Sequence, residues 1–483
     1  MQQNKGGVQK LFKLSGRSRN TFLLLLCAAS LQAESFADFK TAQVKSFAKY
    51  ADPRDNGFDA YLKEQFKEYK AYGGTALYEE PKPKTIEAAK PENVVALGPK
   101  VFITLPSSQE VIQEKKPLLS GEKQESVFDF YGTTLAFHVN DKLKKANFSP
   151  QTQEGIAAFF ASLAASEYKS LLRNINAVKE ELGLNDWGVY LLVTKLSQKA
   201  YEKEDAANLF AWFIFNKLGY NAKVGLANKH IVLMLHSEKK IYDTPNFRFG
   251  DKKFYVISHY AKANISSVYT YEKSYPNATK ALDLSLKKLP ILNEKPMSKT
   301  LHFTQNGKLF ELPYVYNQNL LDFMATYPQA DYETYFNAPL DAKSYASLVQ
   351  GLKKEIDGKN ASLALNFVLR FVQNAFVYEV DLEQFGREKV MFAQETLFYE
   401  KSDCEDRSVL FATLVKELFG VGVIGVKYKN HMVTALQIPL QGESINVAGR
   451  RFVIADPTYI NAAIGQSMPK YRSQRAESFV SVE

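Results

Sequence analysis

Three short segments in the last third of this chain constrain its fold more than any bulk property. They read Ser402-Asp403-Cys404-Glu405-Asp406-Arg407-Ser408, Lys429-Asn430-His431-Met432-Val433 and Phe452-Val453-Ile454-Ala455-Asp456-Pro457-Thr458-Tyr459. Behind Cys404 the apolar residues Leu410, Leu414 and Leu418, flanked by Val409, Phe411 and Val415, recur at helical spacing. The cysteine therefore falls at or just before the first turn of a buried helix. Asp403 reads as the N-cap, and Asp406 three residues on completes a capping-box-like pair. His431 opens the short apolar run Met432–Leu436, which suits a core strand; Asp456 ends the β-like run Phe452-Val453-Ile454, which Pro457 stops.

A thiol at a helix N-terminus faces unpaired N–H groups and the positive end of the helix dipole, and both favour the thiolate. The neighbouring acids Asp403, Glu405 and Asp406 push the other way. Such a nucleophile needs an imidazole as base, and His431 is the candidate. On two adjacent strands His431 and Asp456 would lie side by side, with the carboxylate fixing the imidazole tautomer.

The order Cys, His, Asp, with the cysteine on a helix and the other two on neighbouring strands, resembles the transglutaminase-like superfamily of papain-type thiol enzymes. Asp403-Cys404-Glu405-Asp406-Arg407, Asn430-His431-Met432-Val433 and Asp456-Pro457-Thr458-Tyr459 are similar to that superfamily's three core motifs, and the resemblance covers roughly residues 341 to 470. It implies a nucleophile at Cys404, a general base at His431 and an orienting acid at Asp456. In papain-type enzymes a side chain ahead of the nucleophile completes the oxyanion hole, a role that would fall here to Gln373. The superfamily hosts transglutaminases, peptidases, amidases and catalytically dead relatives, so the resemblance does not choose a reaction.

At 483 residues the chain is long enough for two or three domains, and its 46% hydrophobic and 23% charged residues place it among globular proteins. Lys5, Lys10, Lys13, Arg17 and Arg19 precede the apolar run Phe22–Ala29, which is followed by Ser30 and Ala33. Residues 1 to about 33 read as a cleaved export signal, with an uncleaved anchor or a lipid on Cys27 as alternatives. Its removal lowers the formal charge from +9 to +4, a balance that argues against nucleic-acid binding. The exported chain, in the periplasm or cell envelope, would then carry Cys404 as its single cysteine, and would meet the membrane through the signal segment alone.

Taken in order, residues 34–72 read as a helical hairpin, with Phe58, Tyr61, Leu62, Phe66 and Tyr69 on one face of its second helix. Residues 73–126, rich in Pro, Lys and Glu as in Glu80-Pro81-Lys82-Pro83-Lys84, read as a linker or extended wrapping segment. A shift of 201 residues then superposes Lys203–Leu235 on Cys404–Leu436 without a gap, with nine identities that include His230 on His431. Further on, Ile241-Tyr242-Asp243-Thr244-Pro245 echoes the Asp456 segment. Residues 127–250 are therefore expected to be a degenerate copy of the C-terminal domain at 341–483. Lys203 stands there in place of the cysteine, and His230 and Asp243 are non-catalytic equivalents. Residues 251–340 read as an antiparallel β module, with a hairpin turn at Asn306-Gly307.

The expected fold is thus α+β and multidomain. The expected function is that of an exported thiol enzyme acting on amide bonds of a protein or peptide in the cell envelope, through an acyl-enzyme on Cys404. Hydrolysis is favoured over crosslinking, because transamidation needs a site that excludes water. The alternative is a non-catalytic envelope scaffold built on two such domains. No cofactor is expected; acids near Cys404 would permit calcium, but no loop has an EF-hand pattern.

Overall fold

Phe58, with Leu62 one turn on, seats the first described helix, α1 (Phe58–Glu64), on the core, where the Phe58 ring meets Phe160, Tyr271 and Tyr275 edge-on. The structure is a computed structural model, and it describes residues 52–55, 57–72, 82–91, 93–104, 118–119, 126–257 and 265–483. The expected signal segment and the first helix of the hairpin lie outside these residues. The second helix is shorter than its periodicity suggested. It stops at Glu64, and Lys67–Lys70 is a strand, β1. Phe66 packs on Tyr271 in the main core while Tyr69 packs on Phe249 across the sheet. Residues three apart share a face on a helix but take opposite faces on a strand, so sheet pairing wins over helical period here.

A three-stranded sheet, β2 (Leu118–Leu119), β3 (Ser126–Phe130) and β4 (Thr133–Phe137), precedes a run of helices. These are α2 (Asp141–Lys144), α3 (Gln153–Ala164), α4 (Lys169–Glu181), α5 (Asp186–Ala200) and α6 (Glu204–Lys217). The first large sheet follows, from β5 (Ala222–Ala227), β6 (His230–His236), β7 (Asn246–Phe249), β8 (Lys252–Val256) and β9 (Ser267–Thr270), in the order β1-β9-β5-β6-β8-β7. The boundary expected at residue 250 falls in the turn between β7 and β8 and cuts this sheet. A separate β module over 251–340 is therefore corrected: β8 and β9 complete the first sheet, leaving the hairpin β10 (Pro296–Gln305) and β11 (Lys308–Asn317) and two short helices, α7 (Gln318–Met324) and α8 (Tyr332–Phe336). The hairpin turns at Asn306 and Gly307, both at positive φ, as a two-residue turn matched to strand twist requires.

The C-terminal third contains α9 (Ala342–Ile356), α10 (Ala361–Asn374), β12 (Val377–Tyr378), α11 (Asp381–Phe385), α12 (Ala393–Phe398), β13 (Lys401–Ser402) and α13 (Cys404–Phe419). The second large sheet follows: β14 (Val423–Tyr428), β15 (His431–Leu436), β16 (Ser444–Val447), β17 (Arg450–Ala455) and β18 (Ser478–Ser481), ordered β16-β17-β15-β14-β18. The first sheet has the same order in β7-β8-β6-β5-β9. In the first hairpin Ala222 faces Leu235 and Ala227 faces His230; in the second Val423 faces Leu436 and Tyr428 faces His431, each residue displaced by 201. On the next strand Leu235 faces Tyr255 where Leu436 faces Val453. By that register the position matching Asp456 is residue 258, outside the described residues. Asp243 is thereby corrected: it lies at φ 48 ahead of β7, not after β8.

The fold is α+β with several antiparallel sheets. The largest hydrophobic core runs from Phe58 to Val480 through both halves, and residues 53–483 form one compact unit. Among the described residues no helix is long and apolar enough to cross a membrane.

The first sheet contains an unusual lysine. Lys223 on β5 is fully buried, its Nζ donates to Glu272 O at 2.7 Å, and the rings of Tyr271, Phe249 and Phe254 surround it. Burial pushes its pKa down to about 7, against the pull of Glu272. Between that value and the ordinary 10.5 the unfolded chain binds the extra proton, so Lys223's contribution to stability rises with pH through this window and is worst below it. Lys223→Met is expected to stabilise the protein by about 1–3 kcal/mol near pH 6. Thermal melts at pH 6 and pH 10 check this: the gain shrinks at pH 10, and a loss at pH 6 would contradict it.

Candidate functional site

The helix α13 begins where the sequence placed it. Asp403, at φ −110 and ψ −158, is its N-cap, and its backbone N–H donates to Asp406 Oδ2 at 3.2 Å. Gly420 in the left-handed region ends the helix. Ser408, one turn beyond Cys404, donates to Met432 O at 3.1 Å and pins the helix to the strand that opens with His431. Antiparallel pairing of Thr434 with Ala455 then brings the end of β17 beside β15.

That pairing delivers His431 and Asp456 to each other. His431 Nε2 lies 3.0 Å from Asp456 Oδ2, and both side chains are buried. The other carboxylate oxygen, Oδ1, accepts from Thr458 N at 2.9 Å and Tyr459 N at 3.1 Å, so the turn after Pro457 fixes the acid. Tyr471, from the tail, stacks on the imidazole at 4.6 Å between ring centres and is itself tethered through its hydroxyl to Asn430 Oδ1. With an ionised Asp456 on Nε2, the proton sits on that nitrogen and Nδ1 keeps the lone pair of a base.

Cys404 is 1% exposed, and its thiol donates to Glu405 Oε2 at 2.9 Å. Among the described residues this is the sulfur's hydrogen bond; none joins it to His431. Burial and the carboxylates of Glu405 and Asp403 push the thiol's pKa up, and Lys82 opposes them. The helix N-terminus thus does not yield a standing thiolate in this state.

The residue that most alters the site is one the sequence did not single out. Lys82, in the Pro- and Lys-rich stretch, enters the acid cluster beside Cys404. Its Nζ lies 2.7 Å from Asp403 Oδ2, 3.1 Å from Glu388 Oε2 and 3.7 Å from Asp381 Oδ2, and it also bonds Glu405. Burial disfavours the ammonium, but Asp403, Glu405, Cys404 and Asp381 together outweigh it and hold the pKa well above the ordinary value. Glu405 is the ionised partner: against burial, Lys82 and the thiol hold its pKa at about 2. Asp381 is pushed up to about 9 by burial and by Asp406, and burial with the Glu405 charge raises Asp403. Carboxyls crowded together out of water disfavour one another's charge, so Asp381 retains its proton near neutral pH. Oxygens of Asp381, Asp403 and Asp406 lie within 4.8 Å of one another, a set that could hold a cation; the charge found among these acids is Lys82's.

Lys82 arrives on an extended strap, residues 82–91 and 93–104, that wraps the C-terminal third. Ala89 N donates to Ile460 O, Val101 N to Lys359 O and Gly358 N to Val101 O. The wrapping segment weighed from sequence is thus this strap.

Gln373 is not free to act as an oxyanion donor. It is fully buried, its Nε2 donates to Asp456 O at 2.9 Å and Ala462 O at 3.1 Å, and its Oε1 accepts from Arg370. Both amide protons are spent on the loop that carries Asp456, so Gln373 positions the acid. Arg407, fully buried next to the acid cluster, ties the end of α10 to the start of α13 through Gln373 O, Phe376 O and Ser402 Oγ. In the first sheet the equivalents within the described residues do not come together as a site. Lys203 is exposed at the N-cap of α6, and His230 is half-exposed with Nδ1 3.7 Å from Asp205 Oδ1.

No family model, no curated protein and no solved structure matches this chain.

Proposed function

We propose that this chain is a transglutaminase-like thiol enzyme acting on amide bonds of proteins or peptides in the cell envelope, held here in a latent state. The observation that carries the reading is the buried His431–Asp456 pair, whose carboxylate is locked by two backbone N–H groups beside a helix that starts at a cysteine. In the open state His431 Nδ1 takes the thiol proton and the sulfur attacks the amide carbon. The C–S bond forms, the C–N bond breaks, the imidazolium proton leaves with the amine, and water then hydrolyses the thioester. The region expected at 127–250, together with β8 and β9 that complete its sheet, is read as a degenerate copy of this fold, a reading supported by the shared strand order and the constant displacement of the first hairpin.

A second reading, a non-catalytic envelope scaffold, is favoured by one observation: the thiol is buried and bonded to Glu405. The two separate on labelling with an amide-type thiol probe, followed by mass spectrometry of the peptide containing residue 404. The enzyme reading expects labelling that is absent in Cys404→Ala and about 100-fold slower in His431→Ala, the usual worth of a general base. Equal rates with and without His431 would leave the scaffold.

A further inference from the structure

The strap binds the protein in an uneven way. Val95, Leu97 and Phe102 are 67%, 48% and 72% exposed, and the strap's fully inserted side chains are Lys82 at one end and Ile103 at the other. Between them it is held by backbone hydrogen bonds to Ile460 and to residues 358–362, and by polar side chains at its margin, among them Glu383, Asn360 and Ser362. Few buried apolar contacts, with polar bonds supplying most of the hold, mark a segment that opens at lower cost than the core. Lys82 is therefore a buried anchor on a loosely held cord.

The pocket it fills is built for a cation independently of the strap. Asp381, Asp403, Glu405 and Asp406 belong to α11 and α13 and their flanks, and Asp406 is further fixed by Met391 N at 2.8 Å. Among the described residues Asp403 Oδ1 and Asp381 Oδ1 are buried without a hydrogen-bond partner, although the other oxygen of each faces Lys82. The three N–H donors of an ammonium reach Asp403, Glu405 and Glu388. A buried acidic pocket that accepts a primary ammonium on an extended, Pro-flanked segment recognises that same chemistry when it comes from another chain.

We propose that the carboxylate pocket beside Cys404 is a recognition site for a lysine side chain on an extended peptide of another polypeptide, and that Lys82 occupies it in cis as a latch. The site stands whether or not Cys404 reacts, because it concerns binding at Asp403, Glu405 and Asp381 and not chemistry at sulfur. Opening requires the strap to leave and the incoming lysine to replace its charge, since four buried carboxyls without a cation are unfavourable.

The test uses the full chain and a capped peptide copying residues 80–86, with a second peptide carrying norleucine in place of the lysine that corresponds to Lys82. Calorimetry is expected to show the lysine peptide binding Lys82→Ala about tenfold or more tighter than wild type, where the latch competes. The norleucine peptide should not bind, and adding Glu405→Gln should abolish the difference. Equal binding of the two peptides, or no difference between Lys82→Ala and wild type, overturns the proposal. Displacement of the lysine peptide by millimolar calcium or magnesium, with a raised melting temperature, also overturns it and makes the pocket a metal site. Should Lys82→Ala fail to fold, hydrogen exchange on wild type decides: excess lysine peptide, but not the norleucine peptide, should speed exchange at Ala89 and Val101, and unchanged exchange counts against the latch.

Discussion

Replacing Arg407 by methionine is expected to cost about 3–5 kcal/mol of stability, the range for removing one member of a buried charged network. The guanidinium has no exposed surface, yet it donates to Phe376 O at 2.7 Å, Gln373 O at 3.2 Å and Ser402 Oγ at 3.1 Å. Those two carbonyls lie at the C-terminal end of α10, where no intrahelical donor remains for them, so methionine leaves both unsatisfied. Burial brings the guanidinium's pKa down to about 10, with Tyr378, Asp403 and Asp406 opposing, which leaves it charged at neutral pH. Its charge is felt by Asp403 and Asp406, so its loss would also remove positive charge beside the cluster that Lys82 enters. Arg407→Lys keeps the charge without the planar fork and should fall between wild type and Arg407→Met. Urea unfolding of the three proteins checks the order; a methionine variant within 1 kcal/mol of wild type would show that the network does not bear on stability.

The largest effect on chemistry is expected from Asp456→Asn. The asparagine oxygen can still accept from Thr458 N and Tyr459 N, so the turn should survive. Its amide, however, would now donate to His431 Nε2, which reverses the imidazole tautomer and puts the proton on Nδ1. A base without a free lone pair cannot take the thiol proton, and a loss of ~10⁴-fold accompanies this change in a serine-protease triad. The rate of Cys404 acylation, compared between Asp456→Asn and wild type at equal thermal stability, provides the measurement. ¹⁵N NMR of the histidine ring reads the tautomer directly. An unchanged rate together with a reversed tautomer would mean that His431 is not the base.

Sequence periodicity located the helix behind Cys404, the strand that His431 opens, the strand that ends at Asp456 and the Asn306-Gly307 turn. Each rests on residues a few positions apart, and such spacing is visible in one dimension. It failed where a strand partner overruled local pattern. Phe66 and Tyr69 share a helical face on paper, but the edge of β9 makes Lys67–Lys70 a strand. The match of Asp243 to Asp456 failed for a related reason: similar words fell on opposite sides of a two-strand hairpin, and only register tells them apart.

By itself, then, the sequence determined which side chains stand at the ends of which elements, because capping, apolar period and turn chemistry act over one or two turns of chain. Only the tertiary structure decided what those side chains meet. Lys82 bonds Asp403 across 321 residues, and Gln373 spends its amide on a loop 83 to 89 residues away. Ion pairing and hydrogen-bond satisfaction are set by distance in space, and a buried charge takes whichever partner folding brings within reach, so neither the latch nor the true role of Gln373 was written in local spacing.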